Sequence, residues 1–140
     1  MSANIETVTE GSKSFTLKNT TEVVGRVLIA ALFLLSGMGK ITAYTATAGY
    51  MASVGVPGAI LPLVIATEVL GSLAIILGWK TRIVAILMAG FTLLTGIVFH
   101  NNFADQIQMI MFLKNVSITG AFLLLAVNGA GPISLDRKLR

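Results

Sequence analysis

A chain of 140 residues with 55% hydrophobic and only 11% charged side chains, and a mean hydropathy of +0.87, is too apolar for an ordinary water-soluble domain. The absence of cysteine excludes disulfides, iron–sulfur clusters, thiolate metal sites and persulfide chemistry on this chain, and one histidine excludes a haem held by two. A net charge of +4 would point to nucleic acid in a soluble protein; here the charges are distributed as membrane topology requires, and no nucleic-acid partner is expected.

The chain opens on a hydrophilic head, residues 1–22, "MSANIETVTEGSKSFTLKNTTE", rich in Thr and Ser and mixed in charge. Its composition predicts a loosely ordered segment with an interfacial stretch near Phe15–Leu17. The first apolar run begins only after this head, is long, and lacks a following small-x-small cleavage site. It therefore reads as a retained span rather than a leader. A spanning helix needs about 20 mainly apolar residues. Four stretches qualify, at about Val23–Ile41, Ala59–Gly78, Ile83–His100 and Val116–Ala130, the first and last drawing on flanking residues.

Between the first two spans, "TAYTATAGYMASVGVPGA" combines small residues, two tyrosines and a Gly-Val-Pro-Gly turn, which predicts a short helix anchored at the outer interface. "GWKTR" then makes a tight turn with an interfacial Trp79. Before the last span, "NNFADQIQMIMFLKN" has room for a short amphipathic helix from about Ala104 to Leu113. With four spans the termini share a side. That side, including the loop between spans two and three, holds eight of the ten Lys and Arg residues; the opposite side holds only Lys40 and Lys114. The bias predicts both termini in the cytoplasm.

The expected architecture is all-α: a four-helix transmembrane bundle, residues 23–135, with short interfacial helices in the outer loops. A flexible cytoplasmic segment precedes it and a basic tail, residues 136–140, follows. A faint internal repeat relates "GRVLIAALFLLSGMGK" in the first span to "TRIVAILMAGFTLLTGIVFH" in the third, as parallel repeats about an axis along the membrane normal would.

Within this frame few side chains carry chemistry. Glu68 lies in the middle of "LPLVIATEVLGSLAIILGW". A charged carboxylate near the bilayer centre costs at least about 2.5–3.5 kcal/mol, so it is expected to face the bundle and be neutral or paired, with lipid exposure the least favoured reading. Arg26 lies roughly two turns inward of it and Lys40 roughly two turns outward, and either long side chain can lean toward it. An interhelical ion pair and a proton or ligand role both remain open. His100, where the third span meets the outer interface, reads either as a cap on the following loop or as a ligand group. It shares its level with Lys40, Lys114 and Asn115, and Asp105 offers a competing partner for the lysines. Two cations, an imidazole and an amide suit an anionic or carbonyl-bearing ligand. No metal site is expected.

"GRVLIAALFLLSGMGKI", "YMASVGVP", "ATEVLGSLAIILGWKTR", "FH", "FLKNVSITGAFLLLAVNGAGPISLD" and the closing Leu-Asp-Arg resemble the DoxX family of small four-helix bacterial membrane proteins, over about residues 22–137. The family's recurring polar positions match at Arg26, Lys40, Glu68, His100, Lys114, Asn115 and Asp136. Some relatives are membrane subunits of thiosulfate:quinone oxidoreductase, so the resemblance implies a redox-associated inner-membrane subunit binding quinone or a small anion. In that reading Glu68 and His100 are catalytic, with Arg26, Lys40, Lys114 and Asn115 around the ligand. The chain has no cysteine and no flavin or nicotinamide motif, so electrons would come from a redox partner protein. The alternative is a non-catalytic scaffold or small transporter, whether alone or as a homo-oligomer, in which the same residues are structural pairs or a permeation path.

Overall fold

The computed structural model describes residues 2–140, with side chains from Glu6 onward. Helix α1 runs without a break from Ser2 to Thr42. The head, for which composition suggests loose order, is thus helical instead. It contains no proline and a single glycine, Gly11. The hydroxyls of Thr16, Thr20 and Thr21 donate to the carbonyl four residues back, so these side chains turn onto their own helix instead of opening the backbone.

A short helix α2, Tyr44–Ser53, and a 3₁₀ turn at Gly58–Ile60 lead into α3, Leu61–Leu77. Pro62 sits in the first turn of α3, where its missing N–H costs nothing. Gly78, at φ 69°, ends α3 in the left-handed conformation that glycine adopts most cheaply. Helix α4 covers Thr81–Phe99 and α5 covers Gln106–Asn128, and a four-residue α6, Leu135–Lys138, closes the chain. Asp105 caps α5 by accepting from the amides of Ile107 and Gln108. The amphipathic helix expected at 104–113 is therefore the opening of α5 and joins the fourth span directly.

Four helices are long and apolar enough to cross a membrane: Glu6–Thr42, Gly58–Leu77, Thr81–Phe99 and Gln106–Asn128. They form two antiparallel hairpins, α1 with α3 and α4 with α5. Glycine sets the closest approaches. A Cβ on Gly37 would meet Val69 Cγ2 at 2.8 Å and Glu68 Cβ at 3.1 Å, and one on Gly96 would meet Asn115 Cβ at 3.0 Å. Met88 of α4 fills the space beside Gly71 of α3. The middle of the bundle is an apolar layer of Ala30, Phe33, Ile75, Ala85, Met88, Ala89 and Phe122. In it, the Phe33 and Phe122 rings pack at 5.5 Å between centroids and join α1 to α5. Large apolar side chains such as Leu28, Leu35 and Leu124 point outward and are about two-thirds exposed. Water would not tolerate that surface; lipid chains solvate it.

Candidate functional site

The two ends of the bundle carry different polar groups. The terminal end holds the α3–α4 turn and the C-terminal tail; the far end holds α2, the 3₁₀ turn and the α4–α5 loop. At the far end lies a partly open cavity of about 470 Å³. Lys40, Glu68, His100, Lys114 and Asn115 all line it, so five of the six sequence-predicted site residues converge.

The register of α1 on α3 decides the partner of Glu68. Because Gly37 lies directly against Glu68 and Val69, Lys40 stands one turn farther out and reaches back to the carboxylate. Its ammonium donates to Glu68 Oε1 at 3.1 Å and lies 3.0 Å from Oε2, without an aligned hydrogen bond to the latter. It also donates to Ser36 Oγ at 2.6 Å, and Ser36 in turn donates to Oε1 at 3.2 Å. Glu68 is buried, at 5% exposure, in a Lys–Ser–Glu triangle rather than a bare pair. Ser36 is a member that spacing did not single out; its place one turn before Lys40 was the available signal.

His100 follows the last residue of α4. Its Nδ1 is 2.9 Å from Gln108 Oε1, which in a neutral imidazole places the proton on Nδ1 and leaves Nε2 as an acceptor. Asn115 donates from Nδ2 to the Thr92 carbonyl at 3.1 Å and to Thr95 Oγ1 at 3.4 Å, tying α5 to α4. The Lys114 ammonium has only the Met111 sulfur, at 3.3 Å, as a hydrogen-bond partner among the described residues. Asp105, a candidate to neutralise it, is engaged as the α5 cap.

The rest of the wall is largely apolar. Phe33 forms part of it, as do Met51, Val64 and Phe91. Tyr50 of α2 lines the cavity and stacks on Phe99 at 5.8 Å, so α2 is a wall of the cavity as well as an interfacial anchor. Leu63 and Leu94 also line it while remaining 68% and 60% exposed on α3 and α4, which carries the apolar wall out to the lipid-facing surface. No group of three metal-binding side chains occurs among the described residues.

Arg26 does not join this site. It is buried at the terminal end, 2% exposed, and donates to the carbonyls of Ile75 and Ile76 at the end of α3 and to that of Ile133 in the tail. Its separation of 14 residues from Lys40, about 21 Å along one helix, puts both at opposite ends of the span. Gly78 makes room for it: a Cβ there would stand 2.4 Å from Nη1. Around it, Asp136 accepts from the amides of Lys80 at 2.6 Å and Thr81 at 2.9 Å, capping α4, and Arg82 donates to the Val127 carbonyl at 2.6 Å, capping α5. Burial pushes the Asp136 carboxyl up, but hydrogen bonds from Thr81 and Lys80 and the charge of Arg140 outweigh it and hold the group below its ordinary value.

These features define a four-span helical membrane protein with a polar-headed, apolar-walled cavity at one end. The DoxX family profile matches residues 22–101. The inner membrane protein YqjF of Escherichia coli strain K12 is 50% identical over 123 residues, 88% of this chain and 95% of the relative. YphA, another inner membrane protein of that strain, is 41% identical over 123 residues, 83% of this chain and 88% of its own. The chain belongs to the DoxX family. No solved structure matches it.

Proposed function

We propose that this protein is a redox-associated subunit of the bacterial inner membrane that holds a quinone head group in the far-end cavity. The observation that carries the reading is the convergence of Lys40, Glu68, His100, Lys114 and Asn115 on one cavity whose remaining wall is mainly apolar and continues to the lipid face. A volume of about 470 Å³ suits a ring with the start of an apolar tail. Lys40 is neutralised by Glu68, so the cavity does not present two unpaired cations. That favours a neutral carbonyl-bearing ligand over a small anion.

In this reading Lys114 donates to a carbonyl oxygen of the quinone, His100 Nε2 accepts from a hydroxyl of the reduced ring, Asn115 holds α5 in place, and Glu68 exchanges protons under control of Lys40. The residue types needed for electron storage are missing from the chain, and electrons come from a partner protein. Extraction of the purified protein with organic solvent tests the assignment: about one quinone per chain is expected, and an extract free of quinone overturns it. Both termini are assigned to the cytoplasm on the cation bias at the terminal end. A reporter fused after Arg140 that is active only outside the cytoplasm would reverse that orientation.

A further inference from the structure

We propose that the terminal end carries a binding site for the phosphate group of an anionic phospholipid, built around the guanidinium of Arg82. The α3–α4 turn, the loop after α5 and the tail surround a pocket of about 630 Å³. Lys80, Arg82, Arg137 and Arg140 line it, with Asp136 as the one carboxylate among the lining residues. That carboxylate accepts from the Lys80 and Thr81 amides and is already committed to the α4 cap.

A topological charge bias would place cations at this end without fixing any of them. Arg82 is fixed: Nη1 donates to the Val127 carbonyl at 2.6 Å and lies 3.4 Å from that of Ala126. Its other edge, Nε with Nη2, has no hydrogen bond among the described residues. Those two N–H groups are parallel and match two oxygens of one phosphate. The loop keeps this edge open. Gly129, at φ 77°, bears no side chain where a Cβ would stand 3.4 Å from Nε and 3.5 Å from Nη2.

Neighbouring residues favour a lipid over free phosphate. Lys80, at φ 46°, is turned so that its ammonium lies 5.4 Å from the centre of the Trp79 ring. Trp is at home at head-group depth, and the turn sits where α3 and α4 meet the interface. Ile83, also lining the pocket, is 62% exposed on the lipid-facing side and offers a surface for the glycerol and acyl portion. Basic pockets at the ends of spans are suited to such head groups.

The test moves purified protein from bilayers of equal phosphatidylglycerol and phosphatidylcholine into detergent and counts retained lipid by native mass spectrometry. Phosphatidylglycerol is expected to be retained severalfold over phosphatidylcholine, whose phosphate offers the same two oxygens but whose choline cation is repelled by Lys80, Arg137 and Arg140. Arg82→Lys keeps the charge but not the fork and is expected to lower retention of phosphatidylglycerol about tenfold, the scale of one charge-assisted pair of hydrogen bonds. Should Arg82→Lys fail to fold, Arg137→Gln decides, because that side chain makes no hydrogen bond or ion pair among the described residues. It is expected to lower retention severalfold at unchanged thermal melting. Equal retention of the two lipids, or full retention in whichever of these variants fold, overturns the proposal. Inorganic phosphate is the third arm. Displacement of phosphatidylglycerol by millimolar phosphate would overturn the lipid assignment in favour of a free anion, and no displacement supports it.

Discussion

The two ends of the bundle use polar side chains in opposite ways. At the terminal end Arg26, Arg82 and Asp136 bond to backbone groups at the ends of α3, α5 and α4, so each satisfies atoms that a helix terminus leaves orphaned. At the far end Lys40, Ser36 and Glu68 bond to one another, and His100 bonds to Gln108, beside a partly open cavity. A side chain bonded to backbone is fixed with the fold. One bonded to another side chain beside a cavity can exchange that partner for a ligand. The polar side chains thus divide into those bonded to backbone at the helix ends and those bonded to one another beside the cavity.

Substitution at Arg26 should break this contrast most severely. Arg26→Leu leaves carbonyls of Ile75, Ile76 and Ile133 without their donor inside the protein, and a loss of about 3–5 kcal/mol or failure to accumulate is expected by thermal unfolding in detergent. A melting temperature within a few degrees of wild type would remove Arg26 from the structural group. Next comes Glu68→Lys, which sets a second ammonium against Lys40 and should cost about 3 kcal/mol, whereas Glu68→Gln keeps hydrogen bonding and should cost about 1–2. Equal melting of the two variants would mean that the far-end triangle is not formed.

His100→Ala and Lys114→Ala sharpen the comparison from the other side. Each should cost about 1 kcal/mol or less in stability yet reduce quinone retention at least about tenfold, both measured on the same preparations. Parallel loss of fold and ligand would return these residues to a structural role. The smallest effect is a response to acid. Asp136 is held below the ordinary carboxylate value, so its contribution is complete above that value and fades as pH falls through the lowered one. Melting should decline at strongly acid pH in wild type, and Asp136→Asn should flatten that decline.

Spans and the presence of a buried carboxylate were legible because lipid imposes a simple rule on length and polarity. The partner of Glu68 was not, since Arg26 and Lys40 are both long cations on one face of α1. What selects Lys40 is the register of α1 on α3, and its sequence signal is Gly37, the residue that permits contact with Glu68 and Val69. The continuity of α5 through Lys114 was signalled by Asp105, a good cap placed ahead of "QIQMIMF". Gln108 escaped notice, and Tyr50 was read only as an interfacial anchor, because their places at the cavity depend on how loops fold back over the helix ends, which periodicity within a helix does not encode. The helical head shows the limit of composition as a guide to secondary structure, since threonines that favour turns also bond along a helix.

The apolar middle layer has an electrical consequence. A bilayer that stores a proton gradient behaves as a charged capacitor, and moving one charge across it is worth about 2.3 kcal/mol per 100 mV. Phe33, Phe122, Ile75 and Met88 stand between the Lys40–Glu68 triangle and the Arg26 cluster like a dielectric spacer. The buried hydroxyls of Ser72 and Thr92 are turned onto carbonyls of their own helices. The layer thus sets the two polar clusters apart on either side of the insulating middle of the membrane.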